Sequence, residues 1–133
     1  EFAHKHNANA VTDITGFGLF GHLSEMLKNT NLGANIVSKN IPVINGAQKL
    51  IDDGLFSSGS QRNLDYVIDS IINNTENLNF IKLCCDAQTS GGLLVSVPKD
   101  EEVDIELVKE TMGVELWEIG QINSEYIEKI NII

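Results

Sequence analysis

The chain has 133 residues, 42% of them apolar, with no repeat of fixed period and no low-complexity tract. This excludes disordered and solenoid architectures and suffices for one core that buries roughly two thirds of the unfolded surface without metal or disulfide staples. Nineteen acidic against nine basic side chains give a net charge of -10, which repels a phosphate backbone and excludes nucleic acid, and the longest apolar runs, such as Leu93-Leu94-Val95, fall far short of a membrane span.

The first residues, Glu1-Phe2-Ala3-His4, lack an initiator Met and read as the inside of a helix, as expected of a piece of a longer protein; His4 and His6 are expected to be solvated near its end. The next stretch, HNANAVTDIT (6–15), offers only Val11 and Ile14 as strand formers. Gly16-Phe-Gly18-Leu-Phe-Gly21 then spells G-x-G-x-x-G, the pattern of a dinucleotide-binding turn. That turn needs a buried strand before it and an acidic residue about 20 positions on. The strand is weak, and after Glu25 no Asp or Glu occurs until Asp52, so the pattern is read as something else.

From Gly16 onward Leu19, Phe20, Leu23, Met26 and Leu27 recur at helical spacing and predict a helix over 17–29. Gly18 and Gly21 share another face of that helix, where each costs up to ~1 kcal/mol against Ala, so a closely approaching backbone or ligand is expected there. Asn35-Ile36-Val37 is a short strand candidate, and Ile41-Pro42 turns into a helix carrying Ala47, Leu50 and Ile51 that Gly54 ends. Ser57 to Gln61 reads as a polar loop, with Asn63 capping a helix that presents Leu64, Val67, Ile68, Ile71 and Ile72.

Residues 80–84 and 91–97 are strand candidates, the second following a Gly-rich turn and ended by Pro98. Asp104 caps a helix with Ile105, Val108 and Met112 that closes at Gly113, and strands are expected at 115–122 and 126–132. Helices and strands mix without strict alternation, which favours a mixed sheet. The only cysteines, Cys84 and Cys85, are adjacent, match no zinc spacing, and are expected to be reduced and structural at a strand end.

Three segments carry a resemblance: TDITGFGLFGHLSEM at 12–26, GSQRN at 59–63 and CDAQTSGGLLVSVP at 85–98, with IGQI at 119–122 near the end. In these residues the chain resembles the C-terminal half of the selenophosphate synthetase (selenide, water dikinase) family, within the PurM-like, AIR synthase-related superfamily. Ala87 departs from the Pro usual in that family's D-P-Q-T-S-G-G, and 64–82 has no evident match.

The resemblance implies an α+β, three-layer α/β/α domain with a mixed sheet and partial ferredoxin-like topology, occupying residues 1–133 as the C-terminal half of a longer two-domain enzyme. That enzyme converts ATP, selenide and water into selenophosphate, AMP and phosphate in the cytoplasm, uses Mg²⁺, and works as a homodimer. The family's reactive Cys or selenocysteine, its Lys and most ATP contacts belong to the N-terminal domain, so no catalytic residue is assigned to this chain. Asp13 matches the aspartate that this half contributes to magnesium; by its residues alone it equally suits the dipole of the following helix. Thr89, Ser90, Gly91 and Gly92, with Gly16 and Gly18, can present backbone N–H groups to phosphate, or can be turns that let segments or domains pack closely. Two alternatives are another PurM-like ATP-dependent synthase or kinase and, for the chain by itself, a non-catalytic interface module.

Overall fold

A computed structural model of the chain describes residues 1–73 and 77–133. Among them, in chain order, lie α1 (Phe2–Lys5), β1 (Ala10–Asp13), α2 (Gly18–Leu27), β2 (Gly33–Ile36), α3 (Ala47–Asp52), α4 (Ser58–Val67), β3 (Ile71–Asn73), α5 (Leu78–Cys84), β4 (Leu93–Ser96), α6 (Ile105–Met112), β5 (Gly120–Asn123) and β6 (Ile130–Ile132). The strands form a four-stranded mixed sheet of order β3-β6-β2-β5 and a separate antiparallel pair, β1 with β4. Strands β2, β3 and β6 run parallel, and β5 runs antiparallel to β2. This is the α+β class with a mixed sheet that the sequence implies. No helix among the described residues is long and apolar enough to cross a membrane.

The core is built on β6, which lies between β3 and β2 with all three of its residues buried. Ile130 and Ile132 point to one face by the period of two and join Ala34 and Ile36 of β2. Against them pack Phe20, Leu23 and Leu27 of α2, Leu64 and Val67 of α4, and Ile81 and Cys84 of α5. Each such aliphatic side chain contributes roughly 1.5–3 kcal/mol by leaving water. Asn131 lies on the other face and its amide donates to Asn35 Oδ1 at 2.8 Å, which pairs two polar side chains across β6 and β2.

Several elements differ from those the sequence suggests. Helix α4 begins at Ser58, because Ser57 rather than Asn63 is its cap: Ser57 Oγ accepts the Ser60 N–H at 3.0 Å. The supposed loop is therefore a first helical turn, and Asn63 is buried inside the helix. That helix stops at Val67; after a 3-10 turn over Ile68–Ser70 the β-branched Ile71 and Ile72 enter β3 beside β6. Residues 80–84 lie in α5, not a strand, since Asn77 Oδ1 accepts the Phe80 N–H at 3.1 Å and starts a helix that a short apolar run leaves open. Strand β5 occupies only the end of 115–122 and β6 only the end of 126–132.

A strand does precede the glycines. It is β1, yet it pairs antiparallel with β4 instead of feeding a parallel β-α-β unit, so the G-x-G-x-x-G segment lacks the setting of a dinucleotide turn. His6 also departs from expectation. It is 7% exposed, and its Nδ1 lies 2.8 Å from Glu101 Oε1, which ties the end of α1 to the segment after β4.

Candidate functional site

The three segments that carry the family resemblance meet at one junction. Asp13 ends β1, and beyond it the 14–18 backbone interleaves with 88–92: the Ile14 N–H donates to Gly92 O (2.8 Å), the Gly91 N–H to Ile14 O (3.0 Å) and the Gln88 N–H to Thr15 O (3.0 Å). The middle segment fastens both from α4. Asn63 Nδ2 donates to Gly16 O at 2.8 Å and to Cys85 O at 3.0 Å, while Ser60 Oγ donates to Asp86 Oδ1 at 2.6 Å and accepts the Ala87 N–H at 3.0 Å. Ser60 and Asn63 are a helical turn apart, which places both on the face of α4 that meets the junction. These contacts satisfy backbone groups that burial would otherwise leave unpaired.

The glycines divide by what surrounds them. Gly18 has φ +70°, and a Cβ there would lie 2.7 Å from the Cys85 carbonyl carbon, so it is glycine for conformation and for the close approach of α2 to 85–86. A Cβ on Gly91 would lie 2.5 Å from Ile14 O. Gly16 and Gly92 face open space, with nothing within 4 Å of a built Cβ. Thr89, Ser90 and Gly92 are exposed beside them. The chain thus leaves Gly16 and Gly92 bare and packs Gly18 and Gly91.

Thr15 lies in the turn just ahead of α2. Its N–H donates to His22 Nε2 at 3.1 Å, so that nitrogen carries the lone pair, and the Phe17 ring lies against the same imidazole with centroids 5.5 Å apart. This fixes the turn between Asp13 and the helix.

Asp13 itself is exposed, and its carboxylate makes no hydrogen bond or ion pair with the described residues. Ile14 to Phe17 separate it from α2, whose first turn holds no acidic residue. A free carboxylate at the end of a paired strand fits the hard-oxygen ligand that Mg²⁺ takes, usually as one or two carboxylates with substrate phosphates. No group of three or more His, Cys, Asp or Glu side chains able to hold a metal occurs among the described residues.

Cys84 and Cys85 are buried and free, at the end of α5 rather than at a strand end. Desolvation pushes the Cys84 thiol far above its ordinary value, with the neighbouring Cys85 adding to it, and burial pushes Cys85 up to about 12. Neither is a nucleophile at neutral pH. Ser57-x-x-Ser60, a hydroxyl cap three residues ahead of its partner, signals the start of α4, whereas the roles of Ser60 and Asn63 depend on partners distant in sequence.

Comparison with known proteins agrees with this geometry. Residues 1–132 match the family described as AIR synthase related protein, C-terminal domain. The selenide, water dikinase of Yersinia pseudotuberculosis is 38% identical over 124 residues, covering 93% of this chain and 35% of that protein. The chain therefore spans about a third of the length of such relatives. Among solved structures, thiamine-monophosphate kinase from Stenotrophomonas maltophilia superposes with a TM-score of 0.57 at 14% identity, over 94% of this chain and 31% of that one. AaThiL complexed with AMPPCP and TMP gives 0.52 at 16% identity, over 98% and 31%. The two structures share the fold, and the chain belongs to the AIR synthase-related C-terminal domain family, with the PurM-like architecture.

Proposed function

We propose that residues 1–133 are the C-terminal domain of an ATP-dependent selenide, water dikinase that converts ATP, selenide and water into selenophosphate, AMP and phosphate. One observation carries this reading: the three segments by which the sequence resembles that family fold into one hydrogen-bonded junction that leaves the Asp13 carboxylate free at its edge. The similarity to a selenide, water dikinase over 93% of the chain supports it.

In this reading a preceding N-terminal domain supplies the nucleophile and most nucleotide contacts, and this domain contributes Asp13 to Mg²⁺ and the bare backbone of Gly16, Thr89, Ser90 and Gly92 to phosphates or to the facing domain. Gly18 and Gly91 act beneath them by holding the junction closed. Bound Mg²⁺ would neutralise charge on the phosphates of ATP during transfer. The chain's own part is to hold one carboxylate at a fixed strand end and to keep the Gly-rich turns in register with it. A homodimer in the cytoplasm is the expected working state. AMPPCP bound to a protein of the same fold favours ATP as the nucleotide.

The test is an assay of the protein made from the whole open reading frame. Selenide-dependent formation of AMP and orthophosphate from ATP is the predicted result; ATP turnover indifferent to selenide would favour another PurM-like synthase or kinase. The chain by itself is predicted to be inactive, as an interface module with one metal ligand.

A further inference from the structure

A groove of about 590 Å³ runs between α2 and α4, lined in part by Gly16, Phe17, Glu25, Gly59, Arg62 and Tyr66. Arg62 is the sole arginine of a chain with nineteen carboxylates, and it lies exposed on this groove with no ion pair or hydrogen bond to any described residue. Carboxylates within reach of its helix and across the groove are engaged elsewhere. Asp65 accepts from Gln61 Nε2 at 2.8 Å, and Glu25 takes the Tyr66 hydroxyl and Lys28 Nζ. In so acidic a protein, an unpaired guanidinium facing a groove is the unusual feature.

Two glycines beside it have no packing reason to be glycine. A Cβ on Gly16 would meet nothing within 4 Å, and one on Gly59 only Ser57 Oγ at 3.6 Å and Arg62 Nη2 at 3.8 Å, which are ordinary contacts. Neither has a positive φ. Gly59 also lies in the first turn of α4, where alanine is the better helix former. What both provide is bare backbone along the wall that Arg62 overlooks.

We propose that this groove is an oxyanion site, in which the Arg62 guanidinium holds a phosphate-class group against the exposed backbone of Gly16 and the half-exposed backbone of Gly59. The planar fork of arginine matches two oxygens of a tetrahedral anion at once, which a lysine at this position would not. Glu25 sets the limit of the site: its carboxyl is held below its ordinary value, chiefly by the Tyr66 hydrogen bond, so the far wall stays negative and the anion sits at the Arg62 end. Free orthophosphate and the phosphate of a nucleotide share this chemistry. The site shares Gly16 with the proposed function but needs only this chain, so anion binding here and selenide-dependent turnover of the whole protein succeed or fail separately.

The ¹⁵N-labelled chain is titrated with orthophosphate and, separately, with AMP, with adenosine as a control. The amides of Gly16 and Gly59 and the Arg62 Nε–H should shift saturably with at least one of the two anions and not with adenosine. Response to orthophosphate identifies a free-anion site, and response to AMP alone identifies a nucleotide phosphate. Replacing Arg62→Gln should weaken binding roughly ten- to hundredfold, the loss of a charge-assisted pair, at an unchanged melting temperature. Glu25→Gln should tighten it by removing the like charge. No saturable shift with either anion, or equal affinity in Arg62→Gln, overturns the proposal.

Discussion

The side-chain amide of Asn63 donates to the carbonyl oxygen of Gly16 at 2.8 Å, and through its second N–H to that of Cys85 at 3.0 Å. One buried residue of α4 thereby fixes the turn after β1 to the turn after α5, segments separated by about half of the chain's length. Replacing Asn63→Leu would leave two carbonyl acceptors unpaired, and a loss of roughly 2–4 kcal/mol in unfolding free energy is expected from denaturant melts. Asn63→Asp should be as damaging, because a carboxylate cannot donate to either oxygen.

Gly16 and Gly18 should separate cleanly. Gly18→Ala forces a positive φ and a Cβ 2.7 Å from the Cys85 carbonyl carbon, so it should cost about 2 kcal/mol or more. Gly16→Ala meets nothing and should change stability by no more than about 0.5 kcal/mol. Paired thermal melts check both, and a costly Gly16→Ala would show that Gly16 is packed against something in solution.

The buried thiols predict a pH dependence. Their folded-state values are raised above the ordinary ~8.5, so the unfolded chain loses its thiol protons first. Stability from this source is intact below that value and is lost as pH rises through it toward about 12 for Cys85. Chemical denaturation at pH 7.5 and 9.5 should show the decline, reduced in Cys85→Ala measured against its own neutral value. In the same native protein neither thiol should react rapidly with a maleimide at pH 7.5, whereas both should do so once it is unfolded.

What the sequence disclosed, and what it hid, follow from the range of the forces involved. Asp104 caps α6 through the Leu107 N–H at 3.0 Å and Gly113 ends it at φ +66°, and α2 buries Phe20, Leu23 and Leu27 as their spacing requires; these are local rules read locally. Residues 80–84 and 68–72 fold otherwise than their local pattern suggests because their burial is decided by β6 and α2, elements distant in sequence. Strand β1 has weak strand formers and exists because β4 supplies its ladder from Leu93 to Ser96. At the candidate site, the motif order was visible, while the clamp by Ser60 and Asn63 was not, since a serine and an asparagine near a helix start look like caps until the facing carbonyls are known.

The magnesium role of Asp13 is tested most directly on the full-length protein with Asp13→Asn. Asn keeps the size of the side chain and removes the charge that a hard cation prefers. If Asp13 is a ligand, selenide-dependent AMP formation falls by orders of magnitude while the melting temperature scarcely moves, because the exposed carboxylate has no partner among the described residues to lose. Near-normal turnover at saturating magnesium, with or without a shift in melting temperature, would contradict it.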